Sequence, residues 1–306
     1  MKGVDIVVER IILKKLKNSE ELVLDMVSTP DYILDTVNWG SVKGTHHSYK
    51  YVNQVGESKT NTSLGTREIS ITGWIVADSE LHMTALKKKL NNFINPQETI
   101  SLLYSKYTID FDPDESVKYS ANARENNDVI CKFNIVGTCP NPLFLDKTES
   151  RLAFATVVPQ FHFPLIMSEE LPESGVVFSE RTKSLIINVV NDGSVQIGMR
   201  IVFKANRTLI NPSLINVRTQ EKFTIVKTLV AGEEIEVDTN IGKRKVKGRI
   251  GNEEYSNYFM YKDIDSPWLQ LEIGDNLFAY DAEEGIDNLD VFVYFRNQYL
   301  EVQECN

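Results

Sequence analysis

Apolar and polar residues alternate in short runs along most of the chain. These runs are rich in β-branched and aromatic residues and are separated by Gly, Asn, Asp and Pro, a pattern typical of β-strands joined by turns. The pattern predicts strands over residues 5–13, 21–27, 49–54, 67–76, 99–104, 129–137, 185–190, 197–204, 223–229, 233–238, 268–273 and 290–296. The sequence therefore predicts a mainly β fold.

One segment has the periodicity of a helix instead. In DSELHMTALKKKLNNFINP, residues 78–96, the apolar residues Leu86, Leu90 and Phe93 recur at the spacing of one helix face. The Asp-Ser pair at its start can cap a helix, and the final Asn-Pro ends the pattern. These signals predict an amphipathic helix over residues 79–95, packed on the sheet to which the flanking strands belong.

A polar stretch over residues 105–128 carries another alternating pattern. Its apolar residues keep a period of two on either side of Asp-Pro-Asp, a sequence that favours a turn. The pattern predicts a long hairpin that projects from its domain. Because such a hairpin has no evident role in the core, we interpret five of its residues as a candidate contact between subunits. These residues are Tyr107, Ile109, Phe111, Val117 and Tyr119.

The segment TCPNPLF, from Thr138 to Phe144, contains two prolines that favour extended backbone before them and end a strand. Residues 145–175 then hold three prolines among acidic and small residues, as a linker does. A chain of 306 residues also exceeds the usual size of one hydrophobic core. We therefore expect two domains. They are an N-terminal β-sandwich over residues 1–150, with helix 79–95 and hairpin 105–128, and a C-terminal antiparallel β-sandwich over residues 151–306.

The composition, with 42% apolar and 25% charged residues, is that of an ordinary soluble protein. Its net charge of −10 argues against a general affinity for nucleic acid, which needs concentrated positive charge. Three cysteines, Cys131, Cys139 and Cys305, make an odd number without a Cys-x-x-Cys spacing, which indicates reduced thiols. No apolar run suits a membrane span or a signal peptide, so we expect synthesis in a cytoplasm and no membrane insertion.

Candidate metal ligands are few. His46 and His47 are adjacent, so on a strand their rings point to opposite faces and do not converge on one ion. Asp110, Asp112 and Asp114 have the spacing of the first half of a calcium loop, but the sixth and twelfth positions lack the required Gly and Glu. We therefore interpret the histidines as polar loop residues and the aspartates as a solvated hairpin tip, with no metal and no cofactor.

Cys139 is the one candidate nucleophile. A catalytic thiol needs a base within reach and a lowered pKa, often from a helix N-terminus. The residues after Cys139 are Pro-Asn-Pro without helical periodicity, although His162 could approach it in space. The structural interpretation is a small residue at a turn. The chain also lacks the nucleotide-binding, metalloprotease and hydrolase motifs, so no enzyme is predicted.

Two features of the second domain suit either a ligand or an ordinary structural role. The basic run GKRKVKGR, residues 242–249, favours a solvated edge strand and leaves open a contact with phosphate or a partner. An aromatic group could form a platform for carbohydrate, although its Trp also suits a core position at the start of a strand. The group consists of Tyr255, Tyr258, Tyr261 and Trp268.

Four stretches, in this order, resemble the distal tail protein (Dit) family of long-tailed phages that infect Gram-positive bacteria. They are YILDTVNWGSVKG at 32–44, REISITGWIV at 67–76 with the helix that ends INP, CKFNIVGTCPNPLF at 131–144, and FHFPLIM at 161–167 with its later Asn-Asp-Gly turn. The resemblance covers nearly the whole chain, and it depends on the order and spacing of the stretches.

The resemblance implies a structural virion protein of the tail tip, or baseplate. Members form a ring, usually hexameric, at the end of the tail tube, and an extended hairpin of the N-terminal half locks each subunit to its neighbour. Their C-terminal half is a galectin-like sandwich. The implied partners are further copies of the chain, the major tail tube protein, a tail-tip or tail-associated lysin protein and receptor-binding proteins, while DNA passes through the lumen without specific binding. The alternative function is a carbohydrate-binding module.

Overall fold

The chain folds into two units. The first contains Met1–Lys147 together with Tyr299–Asn306, and the second contains Thr148–Gln298. In this computed structural model the described residues are 10–27, 31–159, 179–183 and 185–302. His162 and Cys305, which the sequence analysis considered, lie outside them.

The end of the chain differs from the expected division, which assigned residues 151–306 to one domain. Tyr299 and Val302 are buried in the core of the first unit, so the chain leaves this unit after Lys147 and returns to it at Tyr299. Two apolar side chains that stabilise the first core are the physical reason for the return.

The elements alternate in chain order as strands, with one α-helix among the described residues. Those of the first unit are β1 Arg10–Lys15, β2 Glu21–Asp25, β3 Tyr32–Asn38, β4 Gly44–Tyr49, β5 Ser58–Leu64, β6 Arg67–Val76, α1 Glu80–Phe93, β7 Ile100–Tyr104, β8 Tyr107–Pro113, β9 Lys118–Tyr119, β10 Ile130–Cys139 and β11 Phe144–Asp146. The later strands are β12 Ser150–Ala153, β13 Ala155–Pro159, β14 Ser179–Lys183, β15 Ile186–Asn191, β16 Arg200–Ala205, β17 Leu209–Asn216, β18 Lys222–Thr224, β19 Thr228–Leu229, β20 Glu233–Asp238, β21 Lys245–Ile250, β22 Ser256–Asn257, β23 Gly274–Glu284, β24 Leu289–Phe295 and β25 Gln298–Tyr299.

The first unit is a closed barrel and not the sandwich that the sequence led us to expect. Seven strands follow the order β8-β7-β1-β2-β3-β6-β10, and β10 then pairs with β8 to close the sheet. The closing pairs join Gly137 to Pro113 and Thr138 to Asp112. A Cβ atom on Gly137 would lie 2.4 Å from the ring of Phe111, so the missing side chain allows the two strands to meet.

Helix α1 covers the barrel core, and the predicted helix is confirmed. Its first turn is capped by Ser79, whose Oγ accepts a hydrogen bond from the backbone N–H of His82 at 3.3 Å. Tyr32 of β3 donates a hydrogen bond to the backbone oxygen of Leu86 at 2.9 Å. The buried face of the helix consists of Met83, Leu86, Leu90 and Phe93.

The predicted projecting hairpin over residues 105–128 is wrong in its geometry. Its first half is β8, a barrel strand between β7 and β11 that also pairs with β10, and its second half, β9, pairs with β10 and not with β8. The alternation of apolar residues that suggested an arm is that of a barrel strand, whose inward side chains fill the core.

The second unit consists of two antiparallel sheets around one core. The six-stranded sheet has the order β12-β24-β16-β20-β21-β22, and the five-stranded sheet pairs β15-β23-β17-β18 with β19 beside β17. Both sheets contribute buried side chains to one cluster that includes Phe203 and Phe278. Strand β21, which holds most of the basic run, lies between β20 and β22 and is therefore not the edge strand that its charges suggested.

Candidate assembly site

An exposed hairpin, formed by β4 and β5, is the most prominent surface feature of the first unit. The two strands pair only with each other and form a sheet of their own among the described residues. The turn between them carries an apolar tip, which we define as Tyr51, Val52 and Val55. Tyr51 is 66% exposed, and the two valines are almost completely exposed. A soluble chain rarely keeps such a group in water without a partner.

Polar side chains stabilise the strands of this hairpin. His46 Nδ1 lies 3.0 Å from Thr62 Oγ1, and His47 Nε2 lies 3.3 Å from Ser63 Oγ. The two histidines therefore contact different partners across the hairpin. No group of three side chains suited to hold a metal ion occurs in the described part of the chain.

The hairpin begins beside a buried arginine. The Arg67 side chain is 1% exposed, and it donates from three nitrogens to backbone oxygens of three separate segments. Nε donates to Pro142 O at 2.7 Å, while Nη1 donates to Trp39 O at 3.0 Å and to Gly40 O at 3.1 Å. Nη2 donates to Leu300 O. The guanidinium thus holds the segment that enters the hairpin, the segment that leaves the barrel and the segment that returns to it.

The surroundings of Arg67 are unusual for a buried cation. Its guanidinium carbon lies 4.6 Å from the centre of the Phe144 ring, a cation–π contact, and its printed hydrogen bonds all go to backbone carbonyls. Burial lowers the pKa of Arg67, an effect that the charges of Cys139 and Glu301 oppose. The planar fork of an arginine can serve several carbonyls at once, which a lysine ammonium cannot do in the same geometry.

A glycine also shapes this corner. Gly40 has a φ of +60°, and a Cβ atom there would lie 2.0 Å from the backbone oxygen of Glu68. Its N–H donates to Asn38 Oδ1 at 3.0 Å. The left-handed backbone and the close approach both require glycine, so the entry to the hairpin is fixed by local backbone geometry as well as by Arg67.

The residues expected to contact a neighbouring subunit lie mostly inside the barrel. Tyr107, Ile109, Phe111 and Val117 are buried in its core. Tyr119 is half-buried, and its hydroxyl lies 3.0 Å from Asn91 Oδ1 of the helix. Their role as contacts between subunits stays a prediction, and one that their burial disfavours.

The aspartates that resembled a calcium loop do not converge. Ser101 donates a hydrogen bond to Asp110, Thr99 donates to Asp112 at 2.6 Å, and Thr138 donates to Asp114 at 3.1 Å. Each carboxylate thus accepts from a different hydroxyl on a neighbouring strand or its flank. These side chains stabilise barrel pairing from its outer face.

Cys139 is buried at the end of β10. Burial raises the pKa of its thiol to about 12, against the opposing effect of Arg67. Cys131 is also buried, and burial raises the pKa of its thiol. A thiol that stays protonated at neutral pH is a poor nucleophile, so both residues act as small apolar side chains of the core.

The second unit brings the basic run and the aromatic group together. Trp268 is partly buried against the core, with its ring 5.6 Å from that of Phe223 and 6.1 Å from that of Phe259. Arg244 lies over the outer part of this cluster, 5.6 Å from the Trp268 ring. Trp268 is therefore largely structural, as its position before Leu269 suggested.

Two family models match separate parts of the chain. The first, described as a phage tail protein RIFT-related domain, matches residues 24–135. The second, described as the C-terminal domain of a siphovirus-type tail component, matches residues 192–299. The two matches together cover most of the chain. No curated protein matches it in sequence.

Solved structures of phage proteins share this fold. The Dit protein (gp 19.1) of phage SPP1 aligns over 94% of this chain and 98% of its own length, with a TM-score of 0.64 at 12% identity. A chain from the baseplate of phage P2, in its activated conformation with calcium, aligns over 95% of this chain and 98% of its own, with a TM-score of 0.50 at 13% identity.

The barrel, the second unit and both family matches define a structural component of a siphovirus tail. More narrowly, the chain belongs to the distal tail protein family, which confirms the resemblance drawn from its sequence. No helix in the described residues is long and apolar enough to cross a membrane.

Proposed function

We propose that this chain is a ring-forming hub that joins the tail tube to the tail tip and the host-adhesion apparatus. The β4–β5 hairpin carries the proposal, because its apolar tip is exposed while Arg67 holds its base. The SPP1 protein is described as a paradigm of the hub of an adsorption apparatus in phages that infect Gram-positive bacteria. The P2 chain is described as part of a baseplate.

The hairpin suits a contact between subunits better than residues 105–128 do. An isolated two-stranded hairpin is only marginally stable in water, so packing against another subunit would stabilise both its strands and its tip. Strand β4 has six residues and is therefore about 20 Å long, enough to reach beyond its own barrel. A tip that binds a different surface on the next copy makes a heterologous contact, which closes into a ring. We propose a homo-hexamer.

The remaining partners follow from the same assembly. We propose the major tail tube protein and a tail-tip or tail-associated lysin protein as neighbours of the ring, and receptor-binding proteins as partners of the second unit. Two antiparallel sheets around one core support a galectin-like fold for this unit. The net charge of −10 suits a lumen through which DNA passes without specific binding. The protein acts in the virion tail tip after synthesis in the host cytoplasm, and it is not an enzyme.

A variant of the tip tests the proposal. Replacing Tyr51, Val52 and Val55 with serine removes apolar area that a neighbour would bury, and should weaken each contact by about 3 kcal/mol or more. Light scattering and negative-stain microscopy should then detect fewer rings. The barrel should unfold at an unchanged temperature, because the tip touches no core.

A second triple variant is the matched control. Leu81→Ser, Val129→Ser and Ile241→Ser also remove three exposed apolar side chains, but none belongs to the hairpin. This variant should form rings as the natural chain does. Rings that form equally well with either variant would refute the role of the tip.

A further inference from the structure

The second unit has a concave surface where the basic run meets exposed aromatic rings. This surface, which we call the β21 cleft, has a volume of about 420 Å³, within the range of small-molecule sites. Its walls come from β21, from the residue before it and from the segment around β22. The side chains that matter are Arg244, Lys245, Lys247, Tyr255, Asn257 and Phe259.

The positive charge of the cleft is only partly compensated. Lys245 Nζ lies 3.6 Å from Asp238. Arg244 and Lys247, in contrast, make no ion pair with any described residue. Glu236, the residue paired with Lys247 across the strands, is bound by Arg200 at 3.3 Å. Two cations without carboxylate partners in a chain of net charge −10 are free to receive an anion.

The cleft is also held in shape before any ligand arrives. The guanidinium of Arg249 lies 4.4 Å from the Tyr255 ring, and the Tyr255 hydroxyl donates to Glu234. Phe259 packs against Trp268, above which Arg244 lies at 5.6 Å. Side chains that are already ordered lose little conformational entropy on binding.

The aromatic walls distinguish the ligand from a simple anion. Tyr255 is 37% exposed and Phe259 is 50% exposed, so each ring offers a face to a ligand. The electron-rich face of an aromatic ring attracts the C–H groups of a sugar ring, while arginine and lysine bind phosphate or carboxylate oxygens. An acidic peptide would use the cations and leave these faces uncovered. We propose that the β21 cleft binds an anionic saccharide, a sugar that carries a phosphate or carboxylate group.

Ligand-observed NMR titration of the full-length chain tests the proposal, which does not depend on ring formation. The probe is N-acetylglucosamine 1-phosphate, with N-acetylglucosamine, inorganic phosphate and a tetraglutamate peptide as comparisons. The sugar phosphate should bind at millimolar concentration or below, at least several-fold tighter than each comparison. Raising the salt concentration should weaken it, because salt screens exposed charges.

Charge-removing variants locate the site. Arg244→Gln and Lys247→Gln should each weaken the sugar phosphate several-fold, and the double variant should weaken it about tenfold or more, which is about 1.4 kcal/mol. Lys243→Gln is the matched control, because Lys243 is exposed and adjacent but outside the cleft; its affinity should not change.

Each other outcome overturns the proposal. Equal affinity for inorganic phosphate and the sugar phosphate would leave an anion site without saccharide recognition. Tighter binding of tetraglutamate would assign the cleft to an acidic protein segment. No binding of the sugar phosphate, or binding that survives the double variant, would remove the site altogether.

Discussion

Removal of the Arg67 side chain should loosen the barrel at the three segments that it joins. In Arg67→Ala, four buried backbone oxygens lose their donor, those of Trp39, Gly40, Pro142 and Leu300. Leaving one buried polar group unsatisfied costs about 1–3 kcal/mol. Taking the lower value for each, because water can enter part of the space left behind, gives a loss of about 4 kcal/mol.

Hydrogen exchange measured by mass spectrometry is the appropriate assay, because it reports each segment separately. A loss of about 4 kcal/mol raises the population of open states by roughly 1000-fold. Peptides that cover residues 38–40, 140–146 and 299–302 should therefore exchange much faster in Arg67→Ala. Peptides of the six-stranded sheet in the second unit should exchange at the natural rate and serve as an internal reference.

Two further variants separate the possible reasons for such a loss. Arg67→Lys keeps the charge but not the fork, so it should lose much of the stability if several carbonyls must be served together. Arg124→Ala removes an exposed arginine and should change stability by about 0.5 kcal/mol at most. Exchange in Arg67→Ala that matches the natural chain at all three segments would refute the reasoning.

Three other predictions concern the barrel. Gly137→Ala should lower the stability of the barrel by about 1–3 kcal/mol, because its Cβ would meet the Phe111 ring at 2.4 Å and a backbone oxygen at 2.9 Å; thermal unfolding measures it. A hydrogen bond from Lys15, 2.9 Å away, holds the pKa of Glu98 below its ordinary value of 4.5. The stability from this pair is therefore present above that value and lost as pH falls through the lower pKa, and Glu98→Gln should flatten the acid side of the stability curve. Finally, Cys139 should resist iodoacetamide at about pH 8 in the folded chain, since burial keeps its thiol protonated.

Each of these predictions has a clear contrary result. An unchanged melting temperature for the alanine variant would mean that β8 and β10 need no glycine to meet. Acid unfolding that is identical with and without the Glu98 carboxylate would remove the pair from the pH response. Rapid alkylation of Cys139, seen by peptide mapping, would reopen its interpretation as a reactive thiol.

The sequence predicted the elements whose pattern is local. Strands 67–76 and 233–238 have the expected bounds, and helix α1 starts at its expected cap. In TCPNPLF, the prolines end β10 at Cys139 as expected, and Phe144 is buried beside Arg67. Alternating burial and capping depend on neighbouring residues alone, so they can be read from the chain.

The errors concern pairing between distant residues. A period of two in β8 suits a projecting arm and a barrel strand equally, and only its pairing with β10 decides between them. The exposed hairpin was missed because β4 and β5 bury neither face and so lack an apolar alternation; the strand expected over residues 49–54 falls mainly on its turn. Strand β23 was missed because its start, Gly274-Asp275-Asn276, resembles a turn.

Arg67 could not be recognised as a site from the sequence. It is one of many charged residues in strands, and its acceptors lie 27 to 233 positions away along the chain. The β21 cleft was foreseen only as two separate features. The fold places Arg244 of the basic run above Trp268, which the spacing of the two features along the chain could not reveal.

Electron microscopy of the purified full-length chain, alone and with its tail tube protein, tests the central claim most directly. Negative-stain images should show closed rings of uniform size, with six subunits in averaged end views. The account also predicts that serine at the three tip residues of the hairpin abolishes these rings. Only monomers in both preparations, confirmed by light scattering at high concentration, would contradict a ring-forming hub.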